Sequence, residues 1–176
     1  MKTIISLFTF IFILGGLTAQ NTTFSDWDKD NDGFIERHEF KKTFVNKYYP
    51  LWDPDNERGI IEEGFFQESY AGLDTDNDNM LSDEEWLIGL NYFYDDYIVD
   101  GGITVVDTDK DGSIEYAEYY DAIYETGYFT DIDLDADNYI SKHELADFVF
   151  DNWDLNDSGL LSRAEFNRFD WYYLDV

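Results

Sequence analysis

The sequence predicts an all-α fold: a compact bundle of short shared helices joined by six acidic loops, arranged as a duplicated three-loop unit. Three observations lead there. A twelve-residue acidic pattern recurs along the chain, apolar residues flank every copy at fixed places, and the connectors between copies are short. Repetition of one small unit that cannot bury its apolar face alone implies neighbouring units packed around a shared core.

The chain begins differently from the way it continues. Residues 1–20, MKTIISLFTFIFILGGLTAQ, carry Lys2, an apolar run from Ile4 to Leu14 and small residues up to Ala19. That order predicts a signal peptide over residues 1–19, cleaved after Ala19, and a mature chain that is secreted or periplasmic. The apolar run is short for a membrane span, so none is expected after cleavage. The remainder, 20–176, is expected to form a single domain, with a first three-loop unit over 20–100 and a second over 101–176.

Of 176 residues, 40 are acidic and 11 basic, giving a formal net charge of -29, yet 44% are hydrophobic and 19% aromatic. Such a chain has the apolar material for a core and is not a disordered acidic tail. Its charge disfavours nucleic acid and anionic membrane surfaces and favours cations. With no cysteine there are neither disulfides nor thiolate metal sites.

The recurring stretches are DKDNDGFIERHE from Asp28, DTDNDNMLSDEE from Asp74, DTDKDGSIEYAE from Asp107, DLDADNYISKHE from Asp133 and DLNDSGLLSRAE from Asp154. All five place oxygen side chains at positions 1, 3 and 5, Gly or Asn at 6, Ile or Leu at 8 and Glu at 12. The pattern resembles the EF-hand calcium-binding family. A run of solvated turns would explain the Asp, Asn and Gly, but not the fixed distance to the glutamate or the apolar residue at position 8.

The resemblance implies a ligand set, and the chemistry of the ion explains its spacing. Calcium takes about six to eight oxygens, and a short loop can surround it when alternate side chains point inward. The chain must then turn sharply through a left-handed residue, which suits Gly33, Gly112 and Gly159 and is tolerated by Asn79 and Asn138. A carbonyl at position 7 and a bidentate glutamate at 12 complete the shell. In the first loop the implied ligands are Asp28, Asp30, Asp32, Phe34, Glu36 and Glu39. The third supplies Asp74, Asp76, Asp78, Met80 and Glu85, and the fourth Asp107, Asp109, Asp111, Ser113 and Glu118. The fifth supplies Asp133, Asp135, Asp137, Tyr139 and Glu144, and the sixth Asp154, Asn156, Ser158, Leu160 and Glu165. Ile35, Leu81, Ile114, Ile140 and Leu161 at position 8 suit the short strand through which such loops pair.

A degenerate second loop starts at Asp53, with Asp55 and Glu57 at positions 3 and 5 and Ile60 at 8, but Arg58 at 6 and Gly64 at 12. Loss of the closing ligand and gain of a cation disable it. With it counted, the six EF-hand loops start at 28, 53, 74, 107, 133 and 154, so the second trio repeats the first at offsets of 79, 80 and 80 residues. The residues before the loops are Trp27, Trp52, Leu73, Val106, Ile132 and Trp153; those after are Phe40, Phe65, Trp86, Tyr119, Leu145 and Phe166. Their fixed place in the repeat marks them as core.

The connectors Phe65–Leu73 and Leu145–Trp153 are nine residues each, about 14 Å of helix, which is room for one helix shared by two hands. Trp86–Val106, interrupted by Gly101-Gly102, is expected to be the one connector with room for two segments. The second trio should therefore fold back along the first, pairing the third loop with the fourth, the second with the fifth and the first with the sixth.

The close spacing is similar to lanmodulin, a lanthanide-binding relative, and more distantly to dockerin modules. These likenesses imply trivalent ions or an assembly partner. Acids at position 9, Glu36 and Glu115, fit the first; Pro54 is the one proline at position 2, and dockerins have two loops, usually closed by aspartate. His38 and His143 fall at position 11 and have no partnered nucleophile, so an enzyme is not expected. The chain is expected to be a calcium-binding protein, a buffer or a calcium-stabilised structural module, with Ca2+ as its ion, lanthanide ions as the alternative and no protein partner named. It should take up about five calcium ions, the sixth loop most weakly because Asn156 and Ser158 replace carboxylates. Isothermal titration counts them, and a tight site removed by Asp53→Ala would contradict the assignment.

Overall fold

The computed structural model describes residues 23–53, 58–94, 96–98 and 102–174, so the signal peptide expected over 1–19 and residues 54–57 of the second loop lie outside the described residues. The chain is mostly helical, with very short strands. In order come α1 (Phe24–Trp27), β1 (Phe34–Glu36), α2 (Arg37–Lys47), α3 (Tyr49–Trp52), β2 (Ile60–Ile61), α4 (Glu62–Leu73) and α5 (Asp83–Gly89). A π-helical turn over Leu90–Tyr94 follows, then α6 (Ile103–Val106), α7 (Tyr116–Tyr124), α8 (Tyr128–Ile132), β3 (Tyr139–Ile140), α9 (Lys142–Trp153), β4 (Leu160–Ser162) and α10 (Arg163–Leu174).

The loops pair as nested brackets. β1 of the first loop lies antiparallel to β4 of the sixth, with Ile35 opposite Leu161. β2 of the second pairs with β3 of the fifth. Leu81 of the third faces Ile114 of the fourth in an antiparallel bridge. All six position-8 side chains are buried, Ile60 at 6% exposure and the other five at 0%. An apolar residue in the middle of so short a strand anchors its loop to the core, where a polar side chain would lose its water.

Two of the connectors correct the expected helix plan. α4 and α9 each run unbroken from one loop to the next, as their length requires. The segments 40–52 and 119–132, by contrast, each hold two helices. Pro50 sits in the first turn of α3, where its missing N–H is harmless but from which α2 cannot continue through it. Gly127 adopts φ 79 and turns the chain between α7 and α8, a left-handed conformation that other residues resist.

The described residues fall into two compact units that cut across the sequence halves: Ile60–Tyr139, and 23–59 together with 140–174. Within the second, Trp27 stacks between Phe40 and Tyr48 at 5.0 and 5.4 Å. Phe40 also meets Phe150 edge-on at 5.5 Å. Arg37 pairs with Asp147 and Asp151, and Lys41 with Asp147, across α2 and α9. Within Ile60–Tyr139 the core is a tyrosine cluster. Tyr94 and Tyr119 share a hydrogen bond of 2.7 Å between their hydroxyls, and the Tyr94 ring meets Tyr128 at 5.0 Å.

Burial pushes the phenols of Tyr94, Tyr119 and Tyr128 well above their ordinary range, and burial with the Asp131 contact lifts Tyr97 to about 12. A group with a raised folded pKa stabilises the fold fully below its unfolded value, near 10.0 here, and less as pH rises beyond that value toward the folded one. In saturating calcium, tyrosinate absorbance above about pH 10 is therefore expected to rise together with loss of helicity. Tyrosinate appearing fully while the helical signal stays intact would contradict the buried cluster.

Candidate metal centres

Each loop is organised around its first aspartate, and all six of these are buried, Asp53 included. One carboxylate oxygen accepts the backbone N–H of position 6: Gly33 to Asp28 at 3.1 Å, Asn79 to Asp74 at 2.9 Å, Gly112 to Asp107 at 3.0 Å, Asn138 to Asp133 at 2.9 Å and Gly159 to Asp154 at 2.6 Å. The position-5 side chain accepts the N–H of position 7, from Phe34, Met80, Ser113 and Tyr139 at 2.8–2.9 Å and from Leu160 at 3.3 Å. These bonds force two left-handed residues per loop. Position 6 is one, with φ from 67 to 97. The other is position 4, filled by Asn31, Asn77, Lys110, Ala136 and Asp157 at φ 53–65. Lys110 and Ala136 are poor left-handed residues, so composition gave no sign of that second turn.

The closing glutamate has two roles. It is the N3 residue of the helix that follows, where its Oε2 accepts the N–H of position 9: Glu36 to Glu39 at 3.0 Å, Ser82 to Glu85 at 2.9 Å, Glu115 to Glu118 at 3.2 Å, Ser141 to Glu144 at 2.8 Å and Ser162 to Glu165 at 2.9 Å. In the third and fifth loops the position-9 serine answers with its hydroxyl, completing a reciprocal cap. The other oxygen reaches back to the loop start, where Lys29, Thr75 and Thr108 donate at 2.7 Å. Ser162 of the sixth loop likewise accepts the Glu165 N–H at 3.3 Å, and Glu36 and Glu115 form capping boxes at the same position, so position 9 caps the following helix whether it holds a serine or an acid.

Carboxylates converge in four loops. Ligand oxygens lie within 4.8 Å of one another among Asp28, Asp30 and Asp32, among Asp74, Asp76 and Glu85, among Asp107, Asp109 and Glu118, and among Asp133, Asp135 and Glu144. Asp109, Asp111 and Glu115 form a further such group in the fourth loop. Glu39, Asp78 and Asp137 stand outside these groups, and the sixth loop forms none among the described residues. There the Asn156 amide donates to Glu165. The Leu160 carbonyl accepts the Ser158 hydroxyl at 2.9 Å. In the second loop Asp53 faces the Tyr49 hydroxyl at 3.3 Å. Glu62 and Glu63, at positions 10 and 11, lie in the first turn of α4, two places and one place short of the closing position.

The electrostatics suit a cation. Asp28 Oδ1 is buried and has no hydrogen-bond partner, a state that a carboxylate oxygen leaves only by meeting positive charge or a donor. Burial lifts the Asp74 carboxyl above its ordinary range even though Asn79, Asp78 and Asn77 donate to it. Burial acts the same way on Glu118, but bonds from Thr108 and Asp109 and a shared bond with Glu115 outweigh it and hold Glu118 down to about 2. That shared bond in turn raises Glu115. His38 is exposed and sits 2.8 Å from Glu36, and His143 is exposed, so neither enters a site.

The family model described as EF hand matches residues 21–45, 125–149 and 145–170. The chain carries EF hands at these three places. The matched segments hold the first, fifth and sixth EF-hand loops, and the third and fourth share their internal hydrogen bonds. A solved structure, the crystal structure of a C-terminal domain, is similar over 89% of this chain and 99% of its own at 17% identity, with a TM-score of 0.29, too low to carry an argument. No curated protein matches the chain.

The EF-hand geometry places Glu118 at the convergence of the fourth loop while keeping its aliphatic stem on α7. Glu118→Gln is expected to remove one calcium from the titration stoichiometry and to leave helicity in saturating calcium nearly unchanged. Unaltered stoichiometry would remove Glu118 from the ligand set.

Proposed function

We propose that this is an exported calcium-binding protein that folds on its ions and acts as a calcium buffer or calcium-stabilised structural module. The observation that carries the reading is the convergence of three carboxylates at each of four loops, with Asp28 Oδ1 buried and unpartnered in the first. Asp28, Asp74, Asp107 and Asp133, with the position-3 aspartates and the closing glutamates, would hold the ions. Calcium would supply positive charge to loops whose acids otherwise repel, and the sixth loop would bind through Asp154, Glu165 and neutral oxygens. Export rests on the leader over 1–19.

Other roles fit less well. A sensor that captures targets presents a flexible methionine-rich groove. Beyond Met1 this chain has Met80 alone, whose sulfur accepts the Ser113 hydroxyl at 3.4 Å between the third and fourth loops. No helix among the described residues is long and apolar enough to cross a membrane.

Helices of twelve residues or fewer are marginal alone in water, so ordered loops and ordered helices should appear together. Because binding energy is then folding energy, calcium is expected to raise both the helical circular dichroism and the thermal midpoint, and a chelator to reverse both. A chelated chain that melts as cooperatively and as high as the calcium form would refute the reading. A folding response to lanthanide with none to millimolar calcium would reassign the ion.

A further inference from the structure

Tyr70 lies in α4, four residues ahead of Asp74, the start of the third loop. Its ring packs against Tyr116 and Tyr119 at 5.4 and 5.3 Å and is 6% exposed. Its hydroxyl stands 2.9 Å from the Asn79 carbonyl, at the left-handed turn of the third loop, and 2.8 Å from the Ile114 carbonyl, at position 8 of the fourth. The same Ile114 carbonyl accepts the Leu81 N–H, and Leu81 returns the bond to the Ile114 N–H, both at 2.9 Å. A phenol has one proton to give. Burial offers that proton no competing water, so it is shared between, or chosen by, two carbonyls that belong to different metal loops.

The arrangement recurs at one other place. The residues four ahead of the remaining loops are Phe24, Tyr49, Ile103, Phe129 and Phe150, of which Tyr49 alone has a hydroxyl. That hydroxyl lies 3.1 Å from the carbonyl of Ile140, again position 8 of the loop paired with its own. Two tyrosines at the same point of the repeat thus reach the same acceptor in the partner loop. Where phenylalanine stands, the ring packs in the core and the link is absent.

We propose that Tyr70 is a positioning residue that couples the third and fourth loops, so that an ion in one raises the affinity of the other through the shared hydroxyl. The proposal rests on the reading that both loops take calcium. An ion drawing Asp74, Asp76 and Glu85 together fixes the Asn79 turn and with it the Tyr70 proton. Shared between the two carbonyls in a three-centre bond, that proton holds the Ile114 carbonyl in turn, and the fourth loop, whose Gly112 N–H is bonded to Asp107 at 3.0 Å, is set before its own ion arrives.

The test is a thermodynamic cycle in the full chain, following the Gly112 amide resonance during calcium titration. Glu85→Gln, which silences the third loop, is expected to weaken the fourth about tenfold, within the usual range of coupling between sites. In a Tyr70→Phe background the same change is expected to weaken it less than about twofold, because the ring still packs while the link is gone. General loosening would lower both affinities and leave their ratio alone, so the ratio separates positioning from mere stability. Tyr49→Phe, which removes the other hydroxyl, should leave this ratio as in the unsubstituted chain. An equal effect of Glu85→Gln with and without Tyr70, or loss of the coupling in Tyr49→Phe, overturns the proposal. A Gly112 resonance indifferent to calcium in the unsubstituted chain overturns the calcium reading and the coupling with it.

Discussion

The first aspartate of each complete loop is the constraint from which the rest of the structure follows. Its carboxylate is buried and takes the N–H of position 6, so the backbone must double back within five residues. That turn brings positions 3 and 5 onto the same centre and sends position 8 down into the core. It also delivers the closing glutamate to the first turn of the next helix. The cost is electrostatic: like charges about 4 Å apart repel by roughly 4 kcal/mol per pair at an effective dielectric near 20. Hydrogen bonds from loop N–H groups offset part of that, and a divalent cation is the natural remainder in a chain of net charge -29.

Economy of length does the rest. A helix shared by two hands places their loops at its opposite ends, and those two loops cannot pair with each other. Each must find a partner farther along the chain, which yields the pairings first with sixth, second with fifth and third with fourth. Compact units consequently gather residues from both halves of the sequence: β1 and β4 are separated by more than a hundred residues yet belong to one unit, while the third and fourth loops close the other. Aromatic residues at the loop boundaries fill both. Pairs such as Trp27 with Phe40 and Tyr94 with Tyr128 add about 0.5–1.5 kcal/mol each beyond the area they bury.

Several side chains serve two structures at once. Glu85 and Glu144 belong both to a carboxylate convergence and to the N-terminal cap of a helix, so loop order and helix order are one equilibrium. Asp53 shows what remains when that duality is lost. Its loop has no closing glutamate, and the carboxylate that would face an ion faces the Tyr49 hydroxyl instead, while Ile60 still fills its place in the core.

The sequence by itself determined the repeat, the buried residues at position 8, core residues beside the loops such as Trp27, Phe40, Trp86 and Tyr119, and the order in which loops pair, whereas Trp153 is only half-buried. Those features follow from the oxygen geometry of a cation and from connector length, both readable along the chain. It misled on the connectors 40–52 and 119–132, although Pro50 and Gly127 marked their breaks, because length alone admitted one helix. Tertiary structure decided what depends on residues brought together from afar. The Tyr70 hydroxyl meets the Ile114 carbonyl across 44 positions of sequence. Asn156 turns onto Glu165, and positions 4 of all five complete loops become left-handed whatever their side chain. The physical reason is that an N–H or a hydroxyl takes its partner from whatever the folded chain places within about 3 Å, and local pattern does not encode that.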